Sequence, residues 1–406
     1  MTDKLNAIIV ADLGFGDAGK GSVVDAIVRQ TGAHIVVRYN GGCQAAHRVV
    51  APGGKEHIFA QFGSGMLVPG VETHLSRFMF IDPIAMMQEE EFLVRMGVCD
   101  AFDRTTIDAN AVVITPFHRA ANRIREIARG TDRHGSCGRG VGEAAFDAAS
   151  DPENLALSIG DIAWGVKLAE KLAFIRGVKY AQVAPLIKDL PDKSIIDKEL
   201  HTLINLSIDD IVSGYRDFVD KARVVTNMYL SLLSKKGIMV FEGAQGVLLD
   251  QRYGFTPYTT WSNTTFDNAL VLLEESSYKG KIVKLGVIRA YATRHGPGPF
   301  PTENSALELA LTHEHNKTGP WQGPFRVGWL DTVLLRYAIE VCGGIDCLAV
   351  NHLDQLESLS KRWASSAYAI PRTFNLEVVE DFFDSQIFGL AQRIKLSPTD
   401  SDSETL

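Results

Sequence analysis

Four glycines, an acid and a lysine crowd into one short run near the N-terminus, Gly14-Phe15-Gly16-Asp17-Ala18-Gly19-Lys20-Gly21-Ser22. Glycines let successive backbone N–H groups converge on an anion, Lys20 adds a cation, and Asp17 is a carboxylate able to hold Mg²⁺ or take a proton. Residues 7–11 (AIIVA) before it form a short β-branched apolar run, and residues 20–30 after it place Val23, Val24, Ile27 and Val28 at helical spacing. The expected order is strand, glycine loop, helix, which aims the loop amides and the positive helix terminus at one polyphosphate. The run fits G-x-x-x-x-G-K, with Gly21 where Ser or Thr should follow, and also G-x-G-x-x-G through Gly14, Gly16 and Gly19. Asp17 and Lys20 suit a triphosphate with Mg²⁺ better than the apolar, tightly packed turn of a dinucleotide fold. An ordinary glycine-rich turn is the bland alternative, and so much chemistry in so short a run weighs against it.

Other polar, glycine-rich segments adjoin strand candidates. Gly41-Gly42-Cys43-Gln44-Ala45-Ala46-His47 lets a backbone approach a ligand, and His47 can donate to a phosphoryl oxygen or shuttle a proton. Gly135-Ser136-Cys137-Gly138-Arg139-Gly140-Val141-Gly142 is either a second phosphate cradle or a plain surface loop. Gln245, in Glu242-Gly243-Ala244-Gln245-Gly246, offers both an amide donor and an acceptor to a base edge. Thr259, Thr260 and the run Ser262-Asn263-Thr264-Thr265 either hold a phosphate or cap a helix starting near Phe266. Asn351-His352-Leu353-Asp354 resembles the guanine reader N-K-x-D, in which the aspartate accepts from N1–H and N2–H₂ and the long residue, here His352, packs on the ring.

These segments need a scaffold. Apolar runs at 35–37, 78–81, 112–115, 238–241, 282–288 and 348–350 alternate with helical stretches such as 83–96, 116–128 and 331–341. The pattern predicts an α/β fold, a large central, mostly parallel sheet flanked by helices, with a P-loop-like nucleotide loop. No linker or repeat divides the 406 residues, so one domain over 1–406 with long functional loops and a polar tail at 397–406 is expected. With 46% hydrophobic and 22% charged residues, no membrane-length apolar run and a net charge of -8 without a basic cluster, neither a membrane nor a nucleic-acid partner is expected. Five scattered cysteines without C-x-x-C spacing argue against a disulfide framework or a zinc site and favour a reducing cytoplasm.

Taken in order, the motifs resemble those of the adenylosuccinate synthetase family. Its W-G-D-E-G-K-G-K loop corresponds to residues 15–22. The likeness continues through V-V-R-Y-x-G-G-x-x-A-x-H (36–47), T-G-R-G-x-G (137–142), E-G-A-Q-G-x-L-L-D (242–250), P-Y-x-T-x-S-N-T-T (257–265), A-Y-x-T-R-x-G-x-G-P-F-P-T-E (290–303) and G-W-L-D-T (328–332). The resemblance implies a two-step, GTP- and Mg²⁺-dependent ligation. A base removes N1–H of IMP, O6 attacks the γ-phosphoryl group, and the aspartate amine displaces phosphate at C6. It implies catalytic roles for Asp17 (general base), His47 (hydrogen-bond donor stabilising the transferring phosphoryl group), Gln245 (holding the purine base) and Lys20. It assigns GTP contacts to Gly16, Gly19, Lys20, Gly21, Ser22, His352 and Asp354, and substrate contacts to Gln44, Ser136, Cys137, Gln245, Thr260, Thr318 and Arg326. Asp17 and Ala46 would hold Mg²⁺, and family members are homodimers.

The departures concern substrates. Residues 318–326 retain only Arg326 of an arginine-rich stretch that grips aspartate in the family, and Trp321 and Phe325 are new there. Residues 144–159 lack the arginine that crosses the family dimer, and Cys43 and Gln44 stand where His and Asn are usual. The leading expectation is adenylosuccinate formation from IMP and aspartate. The alternatives are another acceptor such as dGMP or GMP, another amine, or a non-catalytic GTP sensor.

Overall fold

The computed structural model describes residues 6–190, 192–226, 229–233, 236–311, 321–353 and 355, with backbone alone for 376–377 and 392–396. Asn6–Asp12 is the central strand of a ten-stranded sheet. On one side lie Lys281–Arg289 and Cys347–Asn351; on the other lie Met239–Glu242, Ile35–Arg38, Glu72–Leu75, Thr105–Asp108 and Arg223–Val225, every neighbour parallel. Gln392–Leu396 and then Leu376–Glu377 extend the edge beyond Cys347–Asn351 in antiparallel fashion.

Alternate residues of each strand feed opposite faces. Ile8, Val10, Val36, Val240 and Val283 pack on Val23, Val24, Ile27 and Val28 of the helix Lys20–Thr31. Ala7, Ile9, Ile35, Val37 and Phe241 face the other layer, where Ala269 and Leu272 of Asp267–Glu275 and Leu335 and Ala338 of Thr332–Val341 cover them. Both faces are therefore dry, and the apolar runs are continuous for that reason. A further core joins Leu75 and Ile107 to the helices Pro83–Arg95, Pro116–Ala128, Leu168–Asp189 and Ile208–Lys221.

Two expected strands are corrected. The runs at 78–81 and 112–115 contract to Phe80–Ile81 and Val112–Val113, which pair with each other outside the main sheet. Each run meets a proline that starts a helix. Asp82 caps Pro83–Arg95 by accepting from Ala85 N, and Thr115 with His118 forms a capping box on Pro116–Ala128. Proline has no N–H for a ladder and a preset φ for the first helical turn, so the strands end there. Among the described residues no helix is long and apolar enough to cross a membrane. The tail at 397–406 lies outside them.

Candidate functional site

The phosphate loop sits at the C-terminal end of Asn6–Asp12, where parallel α/β sheets present their ligand crevices. Gly16 (φ 96°), Asp17 (φ 60°) and Gly19 (φ 87°) are all left-handed, a conformation that turns the chain sharply into Lys20–Thr31. Asp12 moulds this loop, and the sequence pattern missed it because the residue ends an apolar run. Its Oδ1 accepts from Gly14 N at 2.8 Å, and its Oδ2 accepts from Ala18 N at 2.9 Å and Lys20 Nζ at 3.0 Å. The buried Lys20 thus has a counter-ion before any phosphate arrives. Asn351 ties the guanine-reader segment to the same loop, donating from Nδ2 to the Ala18 carbonyl at 2.6 Å. His352 follows it with φ 61° and meets Tyr291 edge-on at 6.0 Å; Asp354 lies outside the described residues. Ser22 is exposed and donates its hydroxyl to the Arg48 carbonyl at 3.1 Å.

Gly21 explains how His47, distant in sequence, comes to the loop. A Cβ on Gly21 would stand 2.9 Å from the His47 carbonyl carbon, so only glycine admits this approach. His47 is buried, and its Nδ1 lies 2.6 Å from Oε1 of the fully buried Glu242. Ser64 donates to Glu242 from both its amide and its hydroxyl. Burial opposes ionisation of Glu242, but Arg38, His47 and Ser64 outweigh it and hold its carboxyl at about 2. Burial pushes the His47 imidazole below its ordinary value against the pull of Glu242. An ionised Glu242 accepts from Nδ1–H and leaves Nε2 for a ligand.

The Asp17 side chain is about one-third exposed, and its Oδ2 lies 3.1 Å from Nε2 of His295. Burial works against its charge, yet His295, Arg289 and Lys20 prevail and hold the carboxyl below its usual range. His295 also lines a cleft of about 460 Å³ together with Gln44, Ser136, Cys137, Gln245 and Thr260. The amide oxygens of Gln44 and Gln245 are buried there without a hydrogen-bond partner, as expected of groups that await a ligand. Ser136 accepts from Asn122 Nδ2 at 2.9 Å, which fixes the cradle at 135–140, and burial raises the Cys137 thiol. The hydroxyl-rich run Ser262-Asn263-Thr264-Thr265 makes internal hydrogen bonds. Asp250 accepts from Thr264 N at 2.6 Å, and Thr265 Oγ1 accepts from Asp267 N, the first N–H of the helix Asp267–Glu275, at 3.2 Å.

Two of the assigned substrate residues stand apart. Thr318 lies outside the described residues. Arg326 is engaged by structure: Nε and Nη2 donate to Glu303, and Nη1 donates to the Gly296 and Gly298 carbonyls at 3.1 and 2.9 Å. Trp321 packs on Gly138, where a Cβ would stand 2.7 Å from its ring, with the Arg123 guanidinium 5.2 Å from that ring. Trp321, one of the departures from the family motif, therefore packs on the second glycine cradle.

The family model described as adenylosuccinate synthetase matches residues 9–385. The chain belongs to the adenylosuccinate synthetase family. Adenylosuccinate synthetases of Gloeothece citriformis and a Cyanothece species are 33% and 32% identical to it, over 89% and 95% of this chain and 77% and 82% of theirs. Among solved structures, the fully ligated adenylosuccinate synthetase of Plasmodium falciparum superposes with a TM-score of 0.67 at 24% identity, covering 86% of this chain and 77% of the other. The cyanophage S-2L succinoaminodeoxyadenylate synthetase, bound to dGMP and to dATP as energy donor, gives 0.59 at 19% identity over 88% and 89%. These two likenesses support the fold. Family membership makes the chain an enzyme, a GTP-dependent C–N ligase acting on small nucleotide and amino-acid substrates, and sets aside the non-catalytic sensor.

Proposed function

We propose that this ligase phosphorylates O6 of a 6-oxopurine nucleotide, IMP in the leading reading, and that L-aspartate then displaces the phosphate to give adenylosuccinate. Asp17 takes the N1 proton, so the electron pair reaches O6, which bonds to the γ-phosphorus as GDP leaves. The amine nitrogen then bonds to C6, the C6–O6 bond breaks with phosphate as leaving group, and the amine sheds a proton. Lys20 and the loop amides neutralise the β- and γ-phosphates, and His47, backed by Glu242, serves the transferring group through Nε2. Gln245 and Gln44 hold the purine nucleotide with their unpartnered amide oxygens, and Ser136, Cys137 and Thr260 line its phosphate end.

Mg²⁺ is the metal that the residues fit. Asp17 would hold it through its carboxylate and Ala46 through its carbonyl oxygen, with water and nucleotide phosphates completing the shell; among the described residues no group of three or more acidic, His or Cys side chains offers a denser site. Hard oxygen donors with few carboxylates suit Mg²⁺, which would neutralise charge developing on the transferred phosphoryl group. The five free cysteines and family membership favour a cytoplasmic homodimer.

The observation that carries the reading is the Asp17 carboxylate, held ionised on the phosphate loop and bonded to a residue that lines the cleft containing Gln245. A second reading, with a different amine or with dGMP or GMP as acceptor, rests on the Arg326 guanidinium, already committed to Glu303 and two glycine carbonyls and so not free to grip a dicarboxylate. Mass spectrometry of products from GTP and Mg²⁺ with IMP, GMP or dGMP, against aspartate and other amino acids, separates the two. Adenylosuccinate is the expected product, and Asp17→Asn should yield none; turnover by Asp17→Asn would sink the mechanism.

A further inference from the structure

His295 stands at a variable position of the 290–303 motif, and neither the phosphate loop nor the nucleotide contacts assigned above include it. We propose that His295 is a positioning residue for Asp17, fixing which carboxylate oxygen faces the purine N1–H; this rests on the reading of Asp17 as base.

Three observations carry it. His295 Nε2 lies 3.1 Å from Asp17 Oδ2, while His295 Nδ1 is buried with no hydrogen-bond partner in the structure. The ring's one polar attachment is thus to Asp17, and it donates Nε2–H there. The ring is itself held: His295 ends the strand Ala292–His295, opposite Phe325 in the antiparallel pair with Phe325–Gly328, and the two rings pack at 4.9 Å. The Asp17 main chain is clamped separately, its carbonyl accepting from Arg289 Nε while Arg289 Nη1 reaches the Tyr291 hydroxyl at 3.2 Å. With the backbone pinned at φ 60°, the carboxylate retains only side-chain rotation, and a bond to Oδ2 removes it. Oδ1 is left to meet N1–H. The hairpin that carries His295 also carries Phe325, at the end of the segment where the family reads its amine, so the base is set from the amine side of the site.

Steady-state kinetics on His295→Phe and His295→Gln test this. The first keeps the packing and loses the donor, and the second keeps an N–H donor at the Nε2 position. His295→Phe should lose kcat on the order of a hundredfold, the scale of an ångström-level misplacement, with KM for GTP and acceptor little changed. His295→Gln should recover most of that loss. Should the larger ring not fit, as judged by thermal melting, His295→Leu makes the same comparison. Wild-type kcat in the donor-less variant, or a Gln variant no better than it, overturns the positioning role. Asp17→Asn runs alongside: dead with an active His295→Phe, it overturns this inference alone, whereas an active Asp17→Asn overturns the assignment of the base.

Discussion

Glu242 is one buried carboxylate on which both the proposed catalysis and the stability of the fold depend. It accepts from His47 Nδ1 and twice from Ser64, and the buried Arg38 lies in its field. Glu242→Gln should cost roughly a hundredfold or more in kcat by releasing the imidazole from its orientation, within the range for acid–base groups. It should also destabilise the protein by roughly 3–5 kcal/mol, because Arg38 is left buried without its countercharge. The sign with pH follows from a carboxyl held at about 2 against an ordinary 4.5. Ionised Glu242 contributes its stability in full above about 4.5 and loses it as pH falls from there toward 2. Denaturation curves should therefore fall less steeply across that window in the Gln variant; an unchanged slope would mean that the pair contributes nothing. At this scale the sequence marks Asp17, Lys20, His47 and Gln245 as candidates, because glycines or polar runs surround them. Asp12, Ser64 and His295 stayed hidden, the first at the end of an apolar run and the others at positions marked only by what they touch in the fold.

The loop and its helix are matched as elements by glycines that do different work. Gly19 has φ 87° and would put a Cβ 2.7 Å from Asn351 Nδ2, whereas Gly32, at the other end of the same helix, has φ 64° and open space within 4 Å. Gly32→Ala should cost only the left-handed penalty, about 1–2 kcal/mol. Gly19→Ala incurs that and also pushes away the Asn351 amide that holds the loop, so it should melt lower than Gly32→Ala and raise KM for GTP. Equal melting and equal KM would show that the Asn351 contact is idle. Element by element, strands buried on both faces were legible as unbroken apolar runs, 7–11 and 35–37 among them. Glu72–Leu75 and Thr105–Asp108 were not, because Thr73, His74, Thr105, Thr106 and Asp108 bury polar side chains in the sheet and break the apolar signal, and Arg223–Val225 is a three-residue edge strand too short to show one. The helices between residues 141 and 221 went unread for another reason. They pack on Leu75 and Ile107 at the polar end of the sheet, where no clear apolar run flags a strand, and the longest, Leu168–Asp189, carries Pro185 inside it.

Across the whole molecule, the cleft is assembled from segments far apart in sequence: Gln44 after one strand, Asn122 and Arg125 on a helix of the outer layer, Ser136 and Cys137 on the second glycine cradle, Gln245 to Trp261 beyond another strand, and His295 on the hairpin. The outer layer is internally rigid where it meets the cleft. Lys179, buried, holds Asp147 at 2.6 Å and Glu143 at 3.0 Å, Asp147 holds His118 at 3.1 Å, and Glu143 holds Arg125 at 2.7 Å, so three helices move as one. A nucleotide in the cleft therefore bridges this layer to the loops of the sheet, and binding free energy becomes stability at the junction. At an acceptor concentration a hundred times Kd the native state should gain about 2.7 kcal/mol. Hydrogen exchange should slow in residues 135–146 and 257–261, which face each other across the opening where Phe146 meets Trp261 at 6.0 Å. GTP alone should instead protect residues 13–21 and the segment around Asn351, which Asn351 Nδ2 joins. Protection by IMP confined to the phosphate loop, with 135–146 exchanging as fast as in the free protein, would place the acceptor outside the cleft and overturn the division of the site into a triphosphate half and a purine-nucleotide half.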